Sequence, residues 1–344
     1  MVKSNQHNEK ILIVAPSWVG DMVMAQALLR LIKRKIPNCI IDVLASPMLH
    51  PLLRRMPEVN DCLVSPFHHG DLKLMARFKI AQNLRKNFYT KAYVLPNSFK
   101  SALIPFWAKI PRRIGWLGEA RFILLNEPRF LVKKKLSLMV ERFVALADAK
   151  SEPLLEATLL PRLQISVEQL DFAMQRLQLS LPSRPILALC PGAEYGPAKR
   201  WPASYFGELA KAKIEEGWEV WLFGSTKDKK MSQEIQEHCG GVCIDLIGKT
   251  DLGEAIDLLS LATVVVTNDS GLMHIAAALS KPLIAIYGST SPKFVSPLSN
   301  NKFRTLVSNL PCSPCCEREC PLQHTKCLYD IKPEVVLKAI AAIA

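Results

Sequence analysis

Apolar residues along this chain fall into short runs, each closed by turn residues and followed by a stretch where they recur every three or four positions. KILIVAP leads into MVMAQALLRLIKRK, CIIDVLAS into MLHPLLRRM, and KAYVLPN into SALIPFWAKI. A short apolar run reads as a buried strand, and the wider spacing reads as one face of a helix. The alternation returns further on. PILALCPG, WEVWLFGS, VCIDLIG, ATVVVTND and PLIAIYGS read as strands, with ASYFGELAKAKIEEG, LGEAIDLLSLA and LMHIAAAL as helices. Such alternation predicts an α/β protein with parallel sheets and crossover helices on both faces.

Between the two series, residues 156–184 lack strand character and read as helix and linker. The pattern predicts a first domain over 1–165, a linker over 166–184 and a second domain over 185–330. A final helix within 331–344, KPEVVLKAIAAIA, can pack back on the first domain. A chain of 344 residues is long enough for two domains, each with its own core.

Composition narrows the class. With 49% hydrophobic and 22% charged residues, the chain matches a globular enzyme rather than a disordered or fibrous protein. No window approaches the ~18 apolar residues of a membrane span, and the first apolar run stops at Pro16 without a cleavage signature, so a cytoplasmic location is expected. The ten cysteines are then expected to be reduced. Net charge is +13 but unevenly spread: residues 1–150 hold 25 Lys and Arg against 10 Asp and Glu, whereas the remainder holds 19 against 21. The first half therefore suits an anionic partner: nucleic acid, a membrane surface or a phosphorylated substrate.

In open α/β sheets ligands bind beyond the carboxyl ends of strands, so the strand-to-helix turns are the candidate chemistry. APSWVGDMVMA places Asp21 at the start of a helix, where it serves either the helix terminus or as a general base. It is not the G-x-G-x-x-G of dinucleotide binding. CPGAEYGPAKRWP combines glycines that admit a backbone with Lys199, a compact positive charge suited to a diphosphate. LFGSTKD adds Gly224. In TNDSGLMHIAAAL, the turn Asp269-Ser270-Gly271 opens a helix whose first amides can hold phosphate. Asp269 then suits a sugar hydroxyl or the ordering of the turn, and His274 is either a ligand contact or a satisfied core histidine.

Together SWVGDMVMAQ, CPGAEYGPAKRWP, LFGSTKD and TNDSGLMHIAAAL resemble the ADP-heptose:lipopolysaccharide heptosyltransferases of glycosyltransferase family 9, in the family's order and across both halves. The resemblance implies a GT-B fold, two Rossmann-like domains facing across a cleft, with donor on the second and acceptor on the first. It implies inverting transfer of L-glycero-D-manno-heptose from ADP-heptose to the first heptose of heptosyl-Kdo2-lipid A. Asp21 would be the catalytic base, and Lys199, Asp269, Ser270, Gly271, His274 and Gly224 the donor site. Lys100 and Arg121 become candidate contacts for the anionic acceptor, and the basic half can rest peripherally on the inner membrane. The resemblance makes no cofactor obligatory, leaving Mg²⁺ as an option. A heptosyltransferase using Kdo or an outer heptose as acceptor, and a basic nucleic-acid-binding protein, stay open as alternatives.

The segment PCSPCCERECPLQHTKC gathers Cys312, Cys315, Cys316, Cys320, His324 and Cys327, all residue types that ligate zinc. Their spacing matches no paired C-x₂-C motif, so a thiol-rich loop is the plainer expectation and no metal is assigned.

Overall fold

The computed structural model describes residues 9–67, 70–148, 156 and 159–344. The chain divides into two compact units, Met1–Leu160 and Pro161–Ala344. In the first, Lys10–Val14 (β1), Ile40–Ala45 (β2), Asp61–Val64 (β3), Lys91–Val94 (β4), Arg112–Trp116 (β5) and Glu127–Arg129 (β6) form a parallel sheet in the order β3-β2-β1-β4-β5-β6. In the second, Ile186–Cys190 (β7), Glu219–Leu222 (β8), Ile244–Asp245 (β9), Val264–Asn268 (β10), Leu283–Tyr287 (β11) and Phe303–Val307 (β12) form another, ordered β12-β11-β10-β7-β8-β9. Counted from its own first strand, the second sheet repeats the order of the first. Both are Rossmann-like α/β units, as the alternating pattern predicts.

The central strands form because their runs can be buried on both faces. Ile11, Leu12 and Ile13 of β1 and Val264, Val265 and Val266 of β10 are fully buried, each side chain contributing roughly 1.5–3 kcal/mol. The four strands that periodicity misses, β3, β5, β6 and β12, are weaker sequence signals. β3 and β12 are half-exposed sheet edges, and β5 opens with two arginines. An edge strand needs no continuous apolar run, so its pattern is diluted.

Within the segment read as helix and linker, Val167–Arg176 is a helix with Ser166 as its N-cap, and it packs on the helix Leu252–Leu259. Arg176 there forks onto the Glu254 carboxylate at 2.5 Å and donates to Lys249 O at 2.7 Å. The final helix, Pro333–Ala341, packs within the second unit. Val336, Ile340 and Ile343 form an i, i+4, i+7 stripe buried in the core of the second unit, against the helix Ala203–Glu215 and β11.

That core is centred on Trp201, fully buried, edge-on to Phe206 at 4.8 Å between ring centroids and donating its indole N–H to Ile331 O at 2.8 Å. Trp201→Ala should destabilise the second unit by about 3–5 kcal/mol in denaturant unfolding; a loss below about 1 kcal/mol would show that the cluster repacks without it.

Candidate active site

In the second sheet, chain connections leave β7 and β10 in opposite directions, so their carboxyl ends open a crevice at the switch in strand order. Asn268, the last residue of β10, is fully buried and stitches the two turns together. Its amide donates to Pro191 O at 2.6 Å and its carbonyl accepts from Trp201 N at 3.0 Å. This tie brings Lys199, on a short 3-10 turn at Pro197–Lys199, onto Asp269: Nζ lies 2.6 Å from Oδ2. Asp269 is only 3% exposed, and the same Oδ2 accepts from Thr290 Oγ1 at 2.5 Å. Lys199 Nζ also sits 4.8 Å from the centroid of the Tyr195 ring. The pairing neutralises Asp269, removing the repulsion that a lone carboxylate would offer a phosphate.

Asp269 leads through Ser270, the N-cap, into the helix Gly271–Ala278. The first amides of that helix have no partner within the helix and point toward its N-terminus, an arrangement that suits an anion. Ser270 Oγ makes no capping bond and lies 3.3 Å from Thr267 Oγ1. His274, one turn in, is buried. Desolvation pushes its imidazole down to about 4, with nearby Asp269 opposing and Lys199 reinforcing the shift. It is therefore a neutral ring at physiological pH.

Gly224, at the end of β8, is used for close packing. A Cβ there would lie 3.1 Å from Asp228 Oδ2, and one at Gly192 only 2.5 Å from the same atom. Asp228 braces the turn by accepting from Ser225 N and Oγ at 2.9 and 2.8 Å.

The cysteine-rich segment docks on this region through its backbone. Arg318 O accepts from Ala198 N at 3.0 Å, Cys316 O from Tyr195 OH at 2.6 Å, and Cys316 N donates to Ser289 O at 2.7 Å. A Cβ on Gly196 would lie 2.3 Å from Arg318 O, which is why glycine stands there. All ten cysteines are free thiols. Among the described residues no group of three or more His, Cys, Asp or Glu side chains is placed to hold a metal ion, so Cys312, Cys315, Cys316, Cys320, His324 and Cys327 do not assemble as ligands. Tyr195, Asn268, Thr290 and Arg318 were missed by sequence reasoning. Only Asn268 carried a local signal, as the polar end of an apolar strand beside Asp-Ser-Gly.

In the first unit the equivalent switch lies between β1 and β4. Asp21 is half-buried in the first turn of the helix Val19–Lys35, and Leu95 N donates to Val14 O at 3.1 Å, setting the turn after β4 beside it. Lys100 is half-buried in the first turn of the helix Phe99–Trp107.

Arg121 is a correction. Its guanidinium is wholly buried and spent on the protein: it donates to Trp116 O at 3.1 and 2.5 Å, Pro96 O at 2.5 Å, Ser98 O at 3.3 Å, Ser101 Oγ at 3.1 Å and Asn97 Oδ1 at 3.3 Å. Burial pushes it down to about 10. It cannot meet an anionic acceptor; it fastens the turn after β4.

Two like-ordered Rossmann-type units, one with a polar, amide-rich crevice and one with a carboxylate at its switch, have the make-up of a GT-B protein. Residues 77–326 match the model of glycosyltransferase family 9 (heptosyltransferase). Lipopolysaccharide heptosyltransferase 2 of Escherichia coli is 45% identical over 97% of this chain and 98% of its own length. Lipooligosaccharide heptosyltransferase 2 of Haemophilus influenzae is 48% identical over 84% of this chain and 86% of its own length. The solved structure of E. coli ADP-heptose lps heptosyltransferase II superposes with a TM-score of 0.85 at 44% identity, covering 97% of this chain and 98% of that one. The chain belongs to glycosyltransferase family 9, and it is a heptosyltransferase.

Two measurements check this geometry. Arg121→Met should destabilise the first unit by about 2–4 kcal/mol and speed amide exchange at Ser98–Ser101; unchanged stability with weakened acceptor binding would return Arg121 to the ligand role. For His274 the unfolded chain takes up its proton near the ordinary value of about 6.5 and the folded chain only near about 4. Stability should therefore fall as pH drops through that window, by at most about 3 kcal/mol. His274→Gln should flatten this part of the acid slope in denaturant titrations; an unaltered slope would mean that other groups set it.

Proposed function

We propose that the protein transfers L-glycero-D-manno-heptose from ADP-heptose to the first heptose of heptosyl-Kdo2-lipid A, inverting the anomeric centre. The observation that carries this reading is the Lys199–Asp269–Thr290 cluster, centred on the buried Asp269 carboxylate, at the mouth of the helix Gly271–Ala278. It offers a neutralised carboxylate, a cation and free amides, which is what an ADP-sugar diphosphate needs. The 45–48% identity to heptosyltransferases 2 supports the acceptor assignment.

In this mechanism Asp21 takes the proton of the acceptor hydroxyl. Its oxygen bonds to the anomeric carbon as the bond from that carbon to the diphosphate oxygen breaks on the opposite face. ADP departs with the electron pair, and its growing charge is met by Lys199 and the amides that follow Ser270. Asp269 holds Lys199 in place, and neutral His274 backs the same turn. This supply of positive charge makes a metal unnecessary, so chelation with EDTA should leave turnover unchanged. Lys100, in the first turn of the helix Phe99–Trp107, is the acceptor contact that remains once Arg121 is withdrawn. No helix among the described residues is long and apolar enough to cross a membrane; we place the protein peripherally at the cytoplasmic face, where a lipid A acceptor is presented.

The test is ADP release from ADP-heptose with heptosyl-Kdo2-lipid A. Asp21→Ala should lower kcat by about 10²–10⁴-fold while leaving donor binding intact, and Lys199→Ala by about 10²–10³-fold. Kdo2-lipid A lacking heptose should give no release. Equal turnover of that truncated acceptor would shift the reading to a different core position, and full activity in Asp21→Ala would remove it as the base.

A further inference from the structure

The cysteine-rich segment is fixed to the second unit's crevice closely enough to place one of its side chains there. Arg318 is held by its backbone. Its carbonyl accepts from Ala198 N at 3.0 Å, and its Cα would lie 3.0 Å from a Cβ on Gly196, in the turn that also carries Tyr195 and Lys199. Ser313 Oγ donates to Gly288 O at 2.8 Å and Cys316 N to Ser289 O at 2.7 Å, tying the same segment to the turn after β11 that presents Thr290. From this anchorage the Arg318 guanidinium lies over the Tyr195 ring, its carbon 5.5 Å from the centroid, while Lys199 Nζ sits 4.8 Å from the same centroid. Two cations therefore share one aromatic ring.

Their partners differ. Lys199 is paired with Asp269. Arg318 is exposed, and among the described residues its guanidinium has no carboxylate partner and no hydrogen-bond acceptor. Glu194, the acid on the adjoining turn, is taken by Lys227. An unpaired arginine on a surface is ordinary; this one is pinned at its backbone to the turn that supplies Lys199. Lys199 and Asp269 balance each other in charge, and the N-terminus of the helix Gly271–Ala278 adds only about half an elementary charge. A diphosphate that gains negative charge as it departs is better met by a full cation beyond these. A guanidinium over a ring keeps its N–H edge free, and that edge matches phosphate oxygens two at a time. We propose that Arg318 is a second cationic ligand of the donor, donating to the diphosphate of the ADP-sugar beside Lys199, and that the cysteine-rich segment serves the crevice by holding it there. The inference rests on the reading of an ADP-sugar donor and deepens it.

Calorimetric titration of the full chain with ADP, adenosine and inorganic pyrophosphate tests it. Arg318→Gln should weaken ADP and pyrophosphate binding about 10–100-fold and leave adenosine binding unchanged. Arg318→Lys, which keeps the charge but not the fork, should lose less than the Gln variant. In turnover Arg318→Gln should lower kcat as well as raise the donor KM, because the charge it meets grows in the transition state. The melting temperature should not move, since the anchoring bond uses the Arg318 carbonyl. Unchanged ADP and pyrophosphate affinity in Arg318→Gln overturns the proposal. So does an equal loss of adenosine binding, which would make Arg318 a prop for the turn. Arg318-dependent pyrophosphate binding by a chain that transfers no heptose would uphold the cation site and refute the proposed reaction; full transfer by Arg318→Gln with undiminished ADP binding would do the reverse.

Discussion

Lys199 and Asp269 meet at 2.6 Å in a setting where neither charge is well solvated, and the second unit's crevice is organised around that contact. Withdrawing an ammonium and a carboxylate from water costs several kcal/mol per ion, and their attraction offsets this only when the remaining lone pairs are also used. Thr290 takes part of the carboxylate and Tyr195 offers its ring face to the ammonium. The pair is therefore held by its surroundings, and losing Lys199 would strand the buried Asp269 carboxylate. What the arrangement secures is orientation: a cation fixed beside helix amides that need not reorganise when a diphosphate leaves.

The constraint beneath this pair is the strand order. Because β7 and β10 are neighbours whose connections run opposite ways, two turns 70 residues apart come to the same place. Asn268 locks them, and the cysteine-rich segment buttresses them from outside through backbone bonds to Ala198, Tyr195 and Ser289. In the first unit Arg121 does the corresponding job, joining the turn after β4 to the end of β5 with six hydrogen bonds and no carboxylate among its acceptors. An arginine beside a turn rich in exposed groups reads from sequence as a ligand contact, yet burial makes it a fastener.

Much of the fold was legible because the central strands and the helices beside them are defined by local spacing. A run such as ATVVV, followed by Asp-Ser-Gly and a helical stretch, announces a buried strand, a turn and a helix terminus without reference to anything distant. The edge strands β3 and β12 were not legible, since half-exposed segments have no need of an apolar run. Of the candidate site, Lys199, Asp269, Ser270, Gly271 and His274 were identified through their turns, and the structure brings them together; Thr290 and Tyr195 were missed because nothing adjacent in sequence marks them.

The sequence by itself determined the alternation of strands and helices, the two-part organisation, the basic first half and the chemically rich turns, all of which are properties of neighbouring residues. Tertiary structure decided which turns share a crevice, that Arg121 is enclosed and Gly224 serves packing, and that the last helix returns to its own unit. Those outcomes depend on contacts between residues far apart in the chain, where burial and partner geometry, rather than residue type or spacing, set what a side chain can do.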